Sequence, residues 1–137
     1  METKEKRLTL ESTIAYVRDF HDAFGIENAS QITAKLSEQD YMLRHDLMKE
    51  ENDEYIEACR NNDLVEIADA LGDQLYILCG TILKHGLENK IEEVFLEIQR
   101  SNMSKLGANG KPIYREDGKV LKGENYFKPD IKSILER

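Results

Sequence analysis

Apolar side chains recur every three or four positions through Leu10, Ile14, Val17, His21 and Phe24, which predicts an amphipathic helix from about Thr9 to Phe24, closed by Gly25. His21 on that stripe reads as a core-edge histidine rather than a ligand. A loop through Asn28–Ser30 leads to Ser37-x-x-Asp40, a capping sequence, so a second helix is expected from there to about Asn61, where Asn61-Asn62-Asp63 breaks it. A third helix is expected from Leu64 to His85, closed by Gly86, and a fourth from about Glu88 to Leu106, closed by Gly107. Beyond them Pro112–Arg115 and Val120–Lys122 flank Asp117-Gly118, a pattern that predicts a short β-hairpin, and Asp130 caps a terminal helical turn over Ile131–Leu135. The expected fold is therefore all-α, of four-helix bundle type, with a short C-terminal β-hairpin and a terminal helix.

The third helix is apolar on nearly every bearing, with Leu64, Val65, Ile67, Leu71, Leu75, Ile77, Leu78, Ile82 and Leu83. One bundle face cannot cover it, so it is expected at the centre of the fold and of an oligomer, a homodimer or homotetramer. At 137 residues the chain fits one domain, 1–137, made of a helical body (1–107) and a tail (108–137).

Charge divides a little earlier, between residues 99 and 100. Residues 1–99 hold ten basic against 22 acidic side chains (net −12) and residues 100–137 nine against five (net +4), so that the whole carries −8. An acidic body is a poor platform for a nucleic-acid polymer. It suits instead a polyphosphate bridged to carboxylates by divalent cations. Cys59 and Cys79 lack metal-type spacing and are too few for a disulfide framework, which points to reduced thiols and a cytoplasmic location. The N-terminal METKEKRL has no apolar core of a signal sequence, and no apolar run is long enough to span a bilayer.

The acids of the body sit where an amphipathic helix should be apolar. At about 100° per residue, Glu50 and Glu54 fall within about 20° of Leu43, and Glu51 falls about 80° away beside Leu47 and Ala58. Met48, Tyr55, Ile56 and Cys59 form an opposite stripe, so the second helix reads as sandwiched between layers. On the third helix Asp73 lies about 40° and Glu66 about 60° from Asp69, in a sector shared with Tyr76 and Gly80. By contrast Glu93 and Glu97 of the fourth helix lie opposite Ile91, Val94 and Ile98 and read as ordinary surface acids. Joining the two acidic stripes would gather about six carboxylates in one volume, an arrangement that protons or bound cations must neutralise. Oxygen ligands without His or Cys favour Mg²⁺, with Mn²⁺ as a substitute, over zinc. Asp63-x-x-Glu66 also has the form of a simple helix cap. A di-iron carboxylate bundle would need Glu-x-x-His, and the residues three before His21, His45 and His85 are Arg18, Met42 and Ile82.

The pattern Glu50-Glu51-x-x-Glu54 followed by Glu66-x-x-Asp69 resembles the signature of the MazG-like all-α nucleoside triphosphate pyrophosphohydrolases. The later segments Arg100–Gly107, Lys111-Pro112, Asp117–Val120 and Lys122–Asp130 are similar to the branch that acts on dUTP-type substrates. The resemblance implies an oligomeric helical bundle that cleaves a (deoxy)nucleoside triphosphate, such as dUTP, to monophosphate and pyrophosphate. It implies that Glu51, Glu54, Glu66 and Asp69 ligate Mg²⁺ and that Glu50 binds a further metal or takes the proton of the attacking water; Asp73, on the same bearing but outside that signature, is a candidate ligand, a group that orients one, or a cap on a neighbouring chain. Asn102 and Lys105 would meet phosphate or sugar, and Lys122, Tyr126 and Lys128 of the basic tail would close over the triphosphate, in the same or a neighbouring subunit. Tyr76 is a candidate for the nucleoside pocket, though its position suits a core tyrosine better. The competing readings are a phosphoribosyl-ATP pyrophosphohydrolase and a non-catalytic acidic bundle that only binds metal or dimerises.

Overall fold

The computed structural model describes residues 7–137. They form five helices, α1 (Leu10–Ala23), α2 (Glu38–Arg60), α3 (Leu64–Lys84), α4 (Ile91–Met103) and α5 (Ile131–Leu135). The chain divides into two compact units, Met1–Glu88 and Asn89–Arg137, so the division falls ahead of α4 and not at residue 107, where the composition changes.

In the first unit each helix starts at a side chain that satisfies an orphan amide. Thr9 and Ser12 form a reciprocal capping box, Ser37 accepts from the Asp40 amide, and Asp63 accepts from the Glu66 amide at 3.1 Å. α1 and α3 end alike. The Ile26 amide reaches back to the His21 carbonyl, the Leu87 amide to that of Ile82, and Gly25 and Gly86 take the left-handed backbone (φ 70° and 68°) that this closure needs. α2 and α3 are joined by only three residues, with Asn62 at φ 52°, and therefore run antiparallel. α3 packs against both α1 and α2. Its inner side, Ala70, Cys79, Gly80, Ile82 and Leu83, is buried with Ile14, Val17 and His21 of α1. Both cysteines are free thiols.

One expectation for this unit is corrected. α2 is not sandwiched: Ala58 alone is buried, while Met48, Tyr55 and Cys59 are half-buried and Ile56 is exposed, because α2 has only α3 as a substantial partner here. α3 is central to the unit, yet Leu64, Val65, Leu71, Leu75 and Leu78 remain exposed on its outer side. Two helices, α1 and α2, cover it on two sides and leave the outer side open.

The second unit corrects more. α4 is shorter than expected at both ends. Lys90 supplies no side-chain cap, and the helix stops at Met103 instead of running to Gly107. There Ser104 turns its hydroxyl to the Ser101 carbonyl and accepts from the Phe127 amide, while Ser101 donates to the Phe127 carbonyl at 2.8 Å. The segment around Phe127 is thus tied to the last turn of α4 through side-chain hydroxyls, and the Lys105 carbonyl beyond it accepts from the Gly123 amide at 2.8 Å. Glu97, expected as a surface acid, is structural: it accepts from Arg100 at 2.8 Å and from the Asp130 amide at 2.6 Å, and Arg100 lies 4.4 Å over the Phe127 ring. These contacts hold its carboxyl below the usual range, the Arg100 hydrogen bond foremost. The predicted β-hairpin forms no strands. A single antiparallel bridge joins Tyr114 and Val120, and a three-residue connection, Glu116-Asp117-Gly118 with Gly118 at φ 89°, replaces the two-residue turn expected from Asp117-Gly118. Nearly every residue of this stretch is exposed, so no apolar face exists to extend the pairing. α5 begins at its Asp130 cap as expected.

Candidate active site

Antiparallel pairing of α2 and α3 sets the order of side chains along the groove between them. At one end Asp40 faces Lys84, with Oδ2 3.9 Å from Nζ. One turn on, Arg44 donates from Nε to Thr81 Oγ1 (2.9 Å) and from Nη2 to the Ile77 carbonyl (2.7 Å). Two further turns along α2 the acids begin. Glu51 lies in the field of Glu54 on its own helix and of Asp69 and Asp73 on α3. A cleft of about 630 Å³ runs along this groove, bounded by Phe20, His21, Leu43, Arg44, Glu51, Asp73 and Tyr76 among others.

The electrostatics of the acidic end are unbalanced. None of Glu51, Glu54, Asp69 and Asp73 makes an ion pair with Lys, Arg or His among the described residues. Glu51 Oε2 is buried without a hydrogen-bond partner. Burial foremost, then the hydrogen bond to Glu54 and the negative charges of Asp73, Glu54 and Asp69, lift the Glu51 carboxyl to about 7. Asp73 is raised too, by burial and then by Asp69 and Glu54. No three His, Cys, Asp or Glu side chains among the described residues stand in a ready-made metal cage. The donor set is nevertheless what a hard cation needs, since it offers oxygens only, in excess of protein counter-charge and with one oxygen orphaned.

For the metal-free protein the sign of the pH dependence follows. Glu51 binds its proton more tightly when folded (about 7) than in its ordinary range (4.5), so its contribution to stability is greatest at or below pH 4.5 and declines as pH rises through 7. Thermal melts without metal should fall across that window, and MgCl₂ should raise them most at its upper end. A melt independent of pH, or indifferent to MgCl₂, contradicts this.

The remaining sequence candidates fall in three groups. Glu50 and Glu66 are exposed, without side-chain partners among the described residues; the Glu66 amide serves the Asp63 cap, as the plain capping reading had it. Tyr76 lines the cleft and stands edge-on to Phe20, with ring centroids 5.7 Å apart at 84°. It is 42% exposed, which makes it a wall of the cavity and not a core tyrosine. Asn102, Lys105, Lys122, Tyr126 and Lys128 all belong to the second unit. Lys105 lies beyond the end of α4 and not within it, Lys122 Nζ sits 4.8 Å over the Tyr126 ring, and Asn102 and Lys128 are exposed.

Sequence reasoning passed over Arg44 and Phe20. For Arg44 a signal existed, because it lies seven residues before Glu51 and so on nearly the same bearing of α2. His21 is more than core-edge: it is fully buried, with Nδ1 2.6 Å from Asn28 Oδ1.

Residues 17–102 match the family model described as phosphoribosyl-ATP pyrophosphohydrolase, PRA-PH. No curated protein matches the chain. Among solved structures, a provisionally named NTP pyrophosphohydrolase from Exiguobacterium sp. 255-15 is similar at 24% identity and a TM-score of 0.51, covering 96% of each chain, a likeness that supports the fold. The matched segment spans α2, α3 and the acid-lined groove between them, and by it the chain belongs to the phosphoribosyl-ATP pyrophosphohydrolase family, within the MazG-like all-α hydrolases of pyrophosphate bonds.

Proposed function

We propose that the protein hydrolyses a deoxynucleoside triphosphate, dUTP or a close analogue, to the monophosphate and pyrophosphate, with Mg²⁺ (Mn²⁺ as substitute) held by Glu51, Glu54, Glu66 and Asp69. The single observation that supports this most is the buried, partnerless Glu51 oxygen amid uncompensated carboxylates at one end of a nucleoside-sized cleft. When bound, Mg²⁺ would neutralise phosphate oxygens and acidify the attacking water. The carboxylates place the triphosphate at the acidic end, and Asp73 orients its neighbours there. Glu50, exposed beside them, holds a further metal or accepts the proton of that water. The water oxygen bonds to the α-phosphorus, the α-phosphorus to bridging-oxygen bond breaks, and pyrophosphate leaves in line. Phe20 and Tyr76 wall the cleft for the nucleoside. Asn102 and Lys105 meet phosphate or sugar, and Lys122, Tyr126 and Lys128 close over the triphosphate, of this or a neighbouring subunit, as their resemblance to the dUTP-type branch suggests.

A second copy of the chain is proposed to cover the outer face of α3. Leu64, Leu71, Leu75 and Leu78 recur there at spacings of seven, four and three, the period of a helix-on-helix contact. The free thiols fit a reducing, cytoplasmic setting.

A second reading, hydrolysis of phosphoribosyl-ATP, is favoured by the family description itself. Both are tested by incubating the protein with Mg²⁺ and each dNTP, NTP and phosphoribosyl-ATP and separating the products, with sedimentation of the same sample to count subunits. Monophosphate and pyrophosphate from one or a few dNTPs are expected. Turnover of phosphoribosyl-ATP alone would reverse the choice of substrate, and metal binding without any turnover would leave the non-catalytic bundle.

A further inference from the structure

The cleft holds a charged group that the proposed hydrolysis does not use. Arg44 is half-buried, its Nε and Nη2 are fixed by Thr81 and the Ile77 carbonyl, and its Nη1 has no protein acceptor among the described residues. No carboxylate among the described residues lies within ion-pair distance of it, although Glu27, Asp40, Glu51 and Asp73 line the same cleft. The other cation there, Lys84, is taken up by the Glu27 carbonyl (2.6 Å) and Asp40.

The position is built. A Cβ on Gly80 would lie 2.6 Å from Arg44 Nη2 and 2.9 Å from His21 Nε2, so a glycine is what lets the guanidinium and the imidazole settle against α3. His21 is itself held from behind by Asn28. Around the guanidinium the cleft is ring-shaped chemistry: Phe20 and Tyr76 meet edge to face, and Leu43 and Leu47 complete an apolar wall. Seven residues separate Arg44 from Glu51, about 10 Å of helix rise, which is the reach of a nucleoside from its α-phosphate to the far edge of its base.

We infer that Arg44 reads the base, and that the cleft selects keto bases over amino bases. A guanidinium donates only. Uracil and thymine at C4, and guanine and hypoxanthine at C6, present a carbonyl that can accept from it; cytosine and adenine carry an amino group at the same place, donor against donor. The aromatic and aliphatic wall suits a planar ring better than a phosphate, which would leave its oxygens facing Phe20 and Leu43. This inference rests on the proposed function and names the substrate class within it.

The test measures kcat/KM with Mg²⁺ for dUTP, dTTP, dGTP, dCTP and dATP in the wild type, R44Q and G80A, beside metal-free binding of dUMP and dCMP. Circular dichroism melts of each variant check the fold. G80A keeps the Arg44 side chain while its Cβ crowds both the Arg44 head and the His21 ring, so it serves if R44Q fails to fold. The wild type should prefer keto substrates by roughly ten- to hundredfold, the worth of one good donor–acceptor base contact, and both variants should bring that ratio to within roughly threefold of unity. A wild type that treats dCTP like dUTP overturns the inference. So does an R44Q variant that weakens every nucleotide, and tripolyphosphate with them, in proportion, because Arg44 would then be a phosphate ligand. If no triphosphate is turned over, the proposed hydrolysis fails, while binding of dUMP against dCMP still decides the role of Arg44.

Discussion

Glu51→Gln should lose about three orders of magnitude in kcat while the metal-free protein melts at the same or a higher temperature than the wild type above pH 7. The two effects share one cause. Glu51 is a carboxylate pushed to about 7 by burial, Glu54, Asp73 and Asp69, with Oε2 left without a partner. A group in that state opposes folding when ionised; Gln has the same shape and no charge, so it removes the penalty and with it the anionic oxygen that a cation requires. The variant should also lose most of the MgCl₂-induced rise in melting temperature. Activity assays and melts at about pH 8, with and without MgCl₂, read all three. Retained turnover, or a variant markedly less stable than the wild type without metal, would show that Glu51 serves the fold and not the chemistry.

The second large effect is on stability. Gly86→Ala should destabilise the protein by about 2–3 kcal/mol, a fall of roughly 10 °C or more in melting temperature. Its φ of 68° costs any L side chain something by itself. A Cβ there would also lie 2.5 Å from the Gln31 carbonyl oxygen and 2.7 Å from its carbon, and backbone cannot swing aside as a side-chain tip can. The displaced strand of loop is the one pinned to the end of α3 by Ala29 to Leu83, Thr33 to His85 and Lys84 to the Glu27 carbonyl, and Glu27 lines the cleft. Gly25→Ala is the control. Gly25 has nearly the same φ, 70°, with nothing within 4 Å of its Cβ, so it should lose only the backbone part, about 1 kcal/mol. Equal melting temperatures for the two variants would contradict the steric argument.

The limits of what the sequence discloses follow from the range of each interaction. Ser37, Asp63 and Asp130 were legible as caps, and Gly25 and Gly86 as closures, because each bond spans three to five residues. The acid stripes of α2 and α3 were legible because helical bearing is local arithmetic, and the pairing of Glu51 with Asp73 follows once a three-residue turn makes the helices antiparallel. α4 was misjudged because its end depends on Ser101 and Ser104 meeting Phe127, over 20 residues away. The chain does reverse at Asp117-Gly118, through a connection one residue longer than expected, but strands need a face to bury and this segment has none. Arg44 escaped notice because an arginine on an acid-bearing helix reads as a solvated partner for those acids. Only the structure places it on the Ile77 carbonyl and Thr81, with no carboxylate among the described residues at ion-pair distance.

Hydrolysis in ¹⁸O-labelled water tests the proposed chemistry most directly. With dUTP and Mg²⁺, attack at the α-phosphorus puts the label in dUMP and leaves pyrophosphate unlabelled, and omission of the metal abolishes both products. Label in pyrophosphate, or release of diphosphate and orthophosphate, would mean that water attacks a different phosphorus and that the acidic end of the α2–α3 groove does not hold the triphosphate as proposed.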